Sequence, residues 1–227
     1  MSAGELDWTR GALSPARLAP YLAAVDGDLA AAMRLYWWNL DASAAFYGPL
    51  HWLEITLRNA LHAELCRAHG RRDWWASARL LGDGPRNVAQ AKSKLRARGV
   101  TRPSADDIVA ELTFGFWVSL LSRRADRYFW VPALHRAFPE FAGPRRELHA
   151  ELNTARRFRN RVMHYEPIHH YGLAADHGRV FRLLGYLSPE CAAAARRQDG
   201  VPDVLARRPD VGAVGDRSGS AGTCDEH

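Results

Sequence analysis

The sequence predicts an all-α fold. Apolar residues recur at steps of three and four through most of the 227 residues, which is the period of one face of a helix. Period-two runs rich in Val, Ile and Thr, which would predict strands, are nearly absent. With 47% hydrophobic residues the chain is able to bury a substantial core. We therefore expect one helical domain over residues 13–199, between a flexible N-terminus (residues 1–12) and a disordered tail (residues 200–227).

The composition argues against several classes of protein. No run approaches the roughly 18 apolar residues of a membrane span, and the first residues lack the apolar core of a signal peptide. The three cysteines are widely spaced and form no CxxC pair, which argues against a disulfide framework or a zinc site. We therefore expect a cytoplasmic protein that does not enter a membrane. The net charge of +6, carried mostly by arginine, fits either phosphate contacts or a generally Arg- and Ala-rich composition.

The first part of the chain predicts two short helices followed by a long one. Ser14 and Pro15 form a good N-cap and first helical residue, and Asp26-Gly27 predicts a break. Asp41 is expected to cap the long helix, and Gly70 to stop it. Its apolar stripe consists of Phe46, Leu50, Leu53, Leu57, Leu61 and Leu65. Pro49 predicts a kink near it, or a helix that starts later.

The middle of the chain predicts a short basic helix, "AKSKLRARG", that carries four cations: Lys92, Lys94, Arg96 and Arg98. Ser104 then caps a predicted helix over "SADDIVAELTFGFWVSLLSR", whose apolar face includes Ile108, Leu112, Phe116 and Leu120. The segment "RYFWVPALHRAFP" predicts one more short helix.

The next helix follows Gly143-Pro144 and carries the stretch "RRFRNRVMHYEPIHH". Its predicted apolar stripe is Leu148, Leu152, Ala155, Phe158 and Val162. It should end at about His164 or Tyr165, because the residue before a proline disfavours the helical conformation and Pro167 has no N–H to donate. The segment "DHGRVFRLLGYLSPECAAAARRQ" predicts a last helix or two.

The helix end at His164 is a candidate site for chemistry on a polyanion. Asn160 and His164 share a face, and Arg161 lies close to it. Arg159 is about 140° round the helix from His164, so that only its long side chain could reach the same place. The helix-terminal carbonyls favour protonated His164 by up to about 1 kcal/mol.

A histidine beside guanidinium groups suits the cleavage of RNA. A base takes the proton of the ribose 2′-OH, and cations stabilise the charge on the five-coordinate phosphate. With the 2′-OH as nucleophile, we expect neither metal nor other cofactor. One histidine is not easily both base and acid, and a second copy from a dimer partner would remove that difficulty. The alternative is a histidine that complements the helix end, beside solvated arginines.

The stretch "RFRNRVMHYEPI" resembles the signature of the Abi-like bacterial family (abortive infection, AbiD/AbiF type), which ends in R-N-R-x-x-H-x-E-P-I. That family belongs to the HEPN superfamily of all-α proteins, whose hallmark of Arg, four to six residues and His is met by Arg159 and His164. Three further blocks are similar to the family in order, and all four span roughly residues 13–170: "LSPARLAPYL", "LYWWNLDASAAFYGPLHWLEITLRNAL" and "ELTFGFWVSLL". The resemblance implies a HEPN-like helical bundle with additional N-terminal and peripheral helices.

The resemblance also implies a function: metal-independent endoribonuclease activity in phage defence or as a toxin. Two protomers of a homodimer would share the site, and the products would be a 2′,3′-cyclic phosphate and a 5′-OH. On that analogy Arg159 contacts the scissile phosphate, His164 transfers a proton or orients the 2′-OH, and Asn160 helps to position them. Arg161, Arg157 and the four cations of the basic helix would bind RNA, and an antitoxin is a possible partner.

Several alternatives stay open at this point. Glu54 and Arg58, which match polar positions of the family, form either a surface i,i+4 pair or a buried support for Arg159 or His164. Relatives often carry a second histidine where this chain has Tyr165. His169 and His170 could join His164 in a metal site, but no carboxylate pattern supports one. The chain as a whole could instead be a non-catalytic HEPN-type RNA-binding or regulatory module, or a structural helical dimer.

Overall fold

The computed structural model describes residues 7–210, apart from the side chains of residues 7 and 10, and is all-helical. Within that range there is no strand, so the predicted all-α class is confirmed. The α-helices are α1 (Asp7–Ala12), α2 (Pro15–Ala23), α3 (Leu29–His69), α4 (Gly84–Ala97), α5 (Ala105–Glu111), α6 (Phe114–Ser119), α7 (Arg145–Met163), α8 (Leu173–Leu187), α9 (Pro189–Arg196) and α10 (Val201–Ala206). Short 3₁₀ turns lie at Trp74–Ala76 and Leu134–Ala137, and a π-helical turn lies at Asp126–Trp130.

The chain divides into two compact units, which the sequence analysis did not anticipate. Among the described residues, one contains residues 7–40 and 207–210, and the other contains residues 41–206. In the first unit the Tyr21 and Tyr36 rings meet edge to face with centroids 5.1 Å apart. The predicted cap of α2 is confirmed, because the Ser14 hydroxyl accepts the N–H of Arg17. All of the predicted site residues lie in the second unit.

The expected flexible N-terminus, residues 1–12, is helical in its second half. Residues 1–6 lie outside the described range, but Asp7–Ala12 forms α1 and Thr9 is fully buried. Burial of a side chain fixes a helix that composition alone suggested would be flexible.

The long helix begins earlier than predicted. The Asp28 carboxylate accepts the N–H groups of Ala30 and Ala31, and caps α3 at Leu29. Asp41, the predicted cap, is an exposed residue inside the helix. The predicted second short helix and the long helix are therefore one helix of 41 residues. Both aspartates are suitable caps, but only Asp28 follows the left-handed turn at Asp26 and Gly27.

The apolar stripe of α3 is confirmed, since Phe46, Leu50, Leu53, Leu57, Leu61 and Leu65 are all buried. Pro49 is also buried, and α3 continues through it. Proline has no N–H, so the helix lacks one backbone hydrogen bond there. The expectation of a later start is wrong.

The predicted helix after Ser104 is two helices. The capping box of Ser104 with Asp107 is confirmed. However, Leu112 is extended (ψ 130°), and the Thr113 hydroxyl accepts the N–H of Phe116 to start α6. Thr113 was placed inside a helix by the apolar periodicity, but its side chain satisfies a helix N-terminus instead.

The helix that carries the motif agrees with the prediction. The stripe Leu148, Leu152, Ala155, Phe158 and Val162 is buried, and α7 ends at Met163 with His164 as its C-cap. α6 and α8 both pack against α7. The tail prediction differs at its start: Val201–Ala206 forms α10, where Val201 and Val204 are buried, and residues 211–227 lie outside the described range. In residues 7–210 no helix has the length and apolar character needed to cross a bilayer.

Candidate functional site

Arg159 of α7 is held by Glu54 of α3. Its Nε donates to the Glu54 Oε2 at 2.9 Å, and both side chains are mostly buried, with 29% and 21% exposed. The two residues flank the buried stripes of their helices, where α3 and α7 share a core: the rings of Phe46 and Phe158 meet edge to face at 4.8 Å. One charged hydrogen bond at such a place fixes the direction of a long guanidinium side chain.

This contact decides between the two alternatives for Glu54. Arg58, one helical turn further on, donates its Nε to Asn59 at 3.2 Å. No ion pair joins Glu54 and Arg58 in the described residues. Glu54 therefore faces the motif helix, while Arg58 makes a local contact on its own helix.

His164 lies at the exposed end of α7. Its N–H donates to the Asn160 carbonyl at 2.9 Å, which completes the last turn. Within residues 7–210 its imidazole has no hydrogen-bond partner, and neither Arg159 nor Asn160 bonds to it. The ring is thus accessible from outside, as proton transfer to a bound molecule requires.

The end of α7 is a Schellman motif with tyrosine in the position that usually holds glycine. The N–H of Tyr165 bonds to the Val162 carbonyl (3.2 Å), and the N–H of Glu166 to the Arg161 carbonyl (2.9 Å). Tyr165 has φ of +59° and its side chain is 72% exposed. A non-glycine residue in this left-handed conformation is strained, and such strain is found preferentially at functional sites. The helix thus ends before it reaches Pro167.

Arg161 contacts two residues of the loop that follows α7. Its Nη1 lies 3.2 Å from the Glu166 Oε2, and its guanidinium sits 4.7 Å from the ring centre of Tyr171. Arg157 is exposed and donates to the Thr154 hydroxyl at 3.0 Å. A groove of 220 Å³ is lined by Arg161, Tyr171, Arg157, Thr154 and Asp176. Arg157 and Arg161 therefore lie together, on a different side of α7 from Arg159.

Two of the four cations of the basic helix line a separate cleft. Lys92 and Arg96 of α4 border a cleft of 400 Å³ together with Arg72 and Trp75. Arg72 is paired with Asp106, and Arg98 with Glu111. Lys94 is exposed and does not line the cleft.

The three histidines considered for a metal site do not form one. His169 is buried, with 4% of its surface exposed, whereas His164 and His170 are exposed. The rings of His169 and His170 meet edge to face at 5.1 Å. No group of three or more His, Cys, Asp and Glu side chains in the described part of the chain has a metal-binding arrangement.

A polar row on α7 was missed by the sequence analysis. The Asn153 side-chain N–H donates to the His149 Nε2 at 2.9 Å, and its Oδ1 accepts the Nε of Arg156 at 3.3 Å. Burial, and then the positive charges of Arg145 and Arg156, lower the pKa of His149, which is consistent with a neutral ring that accepts this bond. The signal was present as spacing: residues 149, 153, 156, 160 and 164 follow steps of three and four.

Comparison of this chain with known protein families, with curated proteins and with solved structures finds no match.

Proposed function

We propose that this protein is an endoribonuclease of the Abi-like HEPN type, which cleaves RNA in phage defence or as a toxin. The observation that carries the proposal is the placement of Arg159 and His164 on one helix. Arg159 is held by a carboxylate from another helix, and His164 presents a free imidazole beyond the last turn. A fixed cation and an accessible acid–base group are the minimum that 2′-OH attack on a phosphodiester requires, and one helix carries both.

The chemistry is a transesterification. The 2′-oxygen forms a bond to phosphorus, the bond from phosphorus to the 5′-oxygen breaks, and a 2′,3′-cyclic phosphate and a 5′-OH result. One proton leaves the 2′-OH and one must reach the departing 5′-oxygen. In a homodimer with a shared site, the two copies of His164 supply these two roles. Arg159 stabilises the negative charge of the five-coordinate phosphate, and Asn160, one turn before His164, helps to position the strand.

The decisive test is cleavage of mixed RNA by the purified protein in the presence of EDTA. We expect fragments with 5′-OH ends, which a polynucleotide kinase labels without prior phosphatase treatment. Arg159→Ala and His164→Ala should each lower the cleavage rate by at least about a hundredfold, in the range seen for loss of acid–base or oxyanion-stabilising groups.

Matched controls are available in the same segment. Arg146→Ala removes an exposed arginine near the start of α7, and His170→Ala removes an exposed histidine outside the helix. Both should keep the cleavage activity near that of the wild type. Equal losses in these controls, or a protein that is monomeric by light scattering while it cleaves, would contradict the shared site.

A second candidate function is a non-catalytic RNA-binding or regulatory module. The cleft of Lys92 and Arg96 favours it, because neither cation has a carboxylate partner in the described residues. Binding of RNA that is retained in Arg159→Ala and His164→Ala, without cleavage by the wild type, would support this candidate instead.

A further inference from the structure

A pocket of 330 Å³ lies where the start of α4, α6 and α7 meet, apart from the grooves described above. Its polar lining comes from four parts of the chain: Asp83 and Asn87, Thr113 and Ser119 at the two ends of α6, Ser122 and Arg124, and Arg156 of α7. This volume is at the lower end of the range for small-molecule sites and is large enough for a phosphate with part of its nucleotide.

Arg156 is positioned for this pocket by its neighbours. Its Nε is held by Asn153, which is itself held by His149, so the terminal nitrogens of the guanidinium stay available. Gly115 of α6 lies against the side chain: a Cβ at this position would be 3.5 Å from the Arg156 Cδ, an ordinary van der Waals distance. A guanidinium held in this way loses less conformational entropy when it binds an anion.

The side chains that line the pocket carry a net positive charge. Arg159 and Arg161 of the same motif have carboxylate partners, Glu54 and Glu166. In the described residues neither Arg156 nor Arg124 has one, and the one lining carboxylate is Asp83. Two guanidinium groups and one carboxylate leave one net positive charge, which favours an anionic ligand.

The pocket is aligned with the proposed catalytic end of α7. Arg156, Asn160 and His164 are four residues apart and share a face of the helix. Eight residues at 1.5 Å each place Arg156 about 12 Å from His164 along the axis. A strand that reaches His164 along this face would pass the mouth of the pocket before or after the scissile bond.

We propose that this pocket binds a backbone phosphate of the RNA strand, away from the scissile phosphate. Arg156 and Arg124 bind the phosphate oxygens, and Asp83 and Asn87 accept hydrogen bonds from the attached ribose or base. This rests on the proposed function. Because the contact is made equally in the bound and reacting states, it contributes to RNA affinity and to KM rather than to kcat.

The test is RNA affinity in a His164→Ala background, where cleavage does not interfere. A fluorescein-labelled 12-nucleotide RNA is titrated with each variant and followed by anisotropy at two salt concentrations. Arg156→Ala and Arg124→Ala should each weaken binding about tenfold and lower the salt slope by about one. Two exposed arginines outside the pocket lining give matched controls: Arg146→Ala and Arg123→Ala should change the affinity less than about twofold.

The outcomes separate this proposal from the proposed function. Equal losses of RNA affinity in the pocket variants and in the control variants would overturn the proposed phosphate site, as would a His164→Ala protein that binds no RNA. If only the pocket variants lose RNA affinity and the wild type cleaves no RNA, the phosphate-binding pocket is supported and the ribonuclease function is rejected. With an active wild type, Arg156→Ala should raise KM at constant kcat, and thermal unfolding of each variant shows whether the fold is kept.

Discussion

Replacement of Tyr165 by glycine should stabilise the protein. Tyr165 occupies the left-handed C′ position of α7 with φ of +59°. For a residue with a Cβ this conformation costs about 1–2 kcal/mol, and glycine avoids that cost. Glycine also makes the unfolded chain more flexible, which removes about 0.4–1 kcal/mol of the gain. The ring is 72% exposed, so its loss removes little packing. The net expectation is a rise of about 0.5–1 kcal/mol in the free energy of unfolding.

The assay is thermal and urea unfolding of three proteins. For a chain of this size the gain corresponds to a rise in Tm of roughly 1–4 °C. Tyr165→Ala is the control, because it removes the same ring but keeps a Cβ in the left-handed conformation. If Tyr165→Gly is no more stable than Tyr165→Ala, the reasoning from backbone strain is refuted.

Three further measurements test other contacts. In a double-mutant cycle, Glu54→Gln and Arg159→Lys should couple by about 1 kcal/mol, between the values for exposed and buried pairs, whereas Glu54→Gln and Arg58→Ala should be additive. Burial lowers the pKa of His62, whose Nδ1 accepts an indole N–H at 3.1 Å, so the stability should fall as pH drops below about 6.5, where only the unfolded chain takes up the proton. That fall should be smaller in His62→Gln. Val201→Ala should cost about 1–2 kcal/mol by urea unfolding if α10 packs as described, and nothing if the segment is a disordered tail.

The helices that were predicted well are those whose signal is local. The stripes of α3 and α7 follow from periodicity, because a side chain's place on a helix depends only on its position in the sequence. The end of α7 was also predicted, since Pro167 restricts the residues before it. The Schellman geometry was not, because Tyr165 lacks the glycine signal for a left-handed residue.

The predicted helix boundaries are wrong where more than one residue is suited to be the N-cap. Asp28 and Asp41 are both good caps, and the tertiary structure selects the first. Thr113 caps α6 although the apolar period runs through it, so one predicted helix became two.

The contacts around the candidate site could be predicted only in part. Sequence alone left Glu54 with three possible partners, Arg58, Arg159 and His164, because a contact across 105 positions leaves no local pattern. The sequence does not single out Arg156, since nothing in its own segment indicates that α6 and the start of α4 form a pocket beside it.

The distance in sequence between Glu54 and Arg159 also determines when the site is completed during synthesis. Glu54 leaves the ribosome before its partner, which is 105 residues further on, and His164 follows five residues after that. A nascent chain or a truncated product that stops before residue 159 has the complete helix α3 and no guanidinium for it to hold. The pair of Glu54 and Arg159 therefore forms only after the whole of residues 54 to 159 has been made, well after α3 itself is complete.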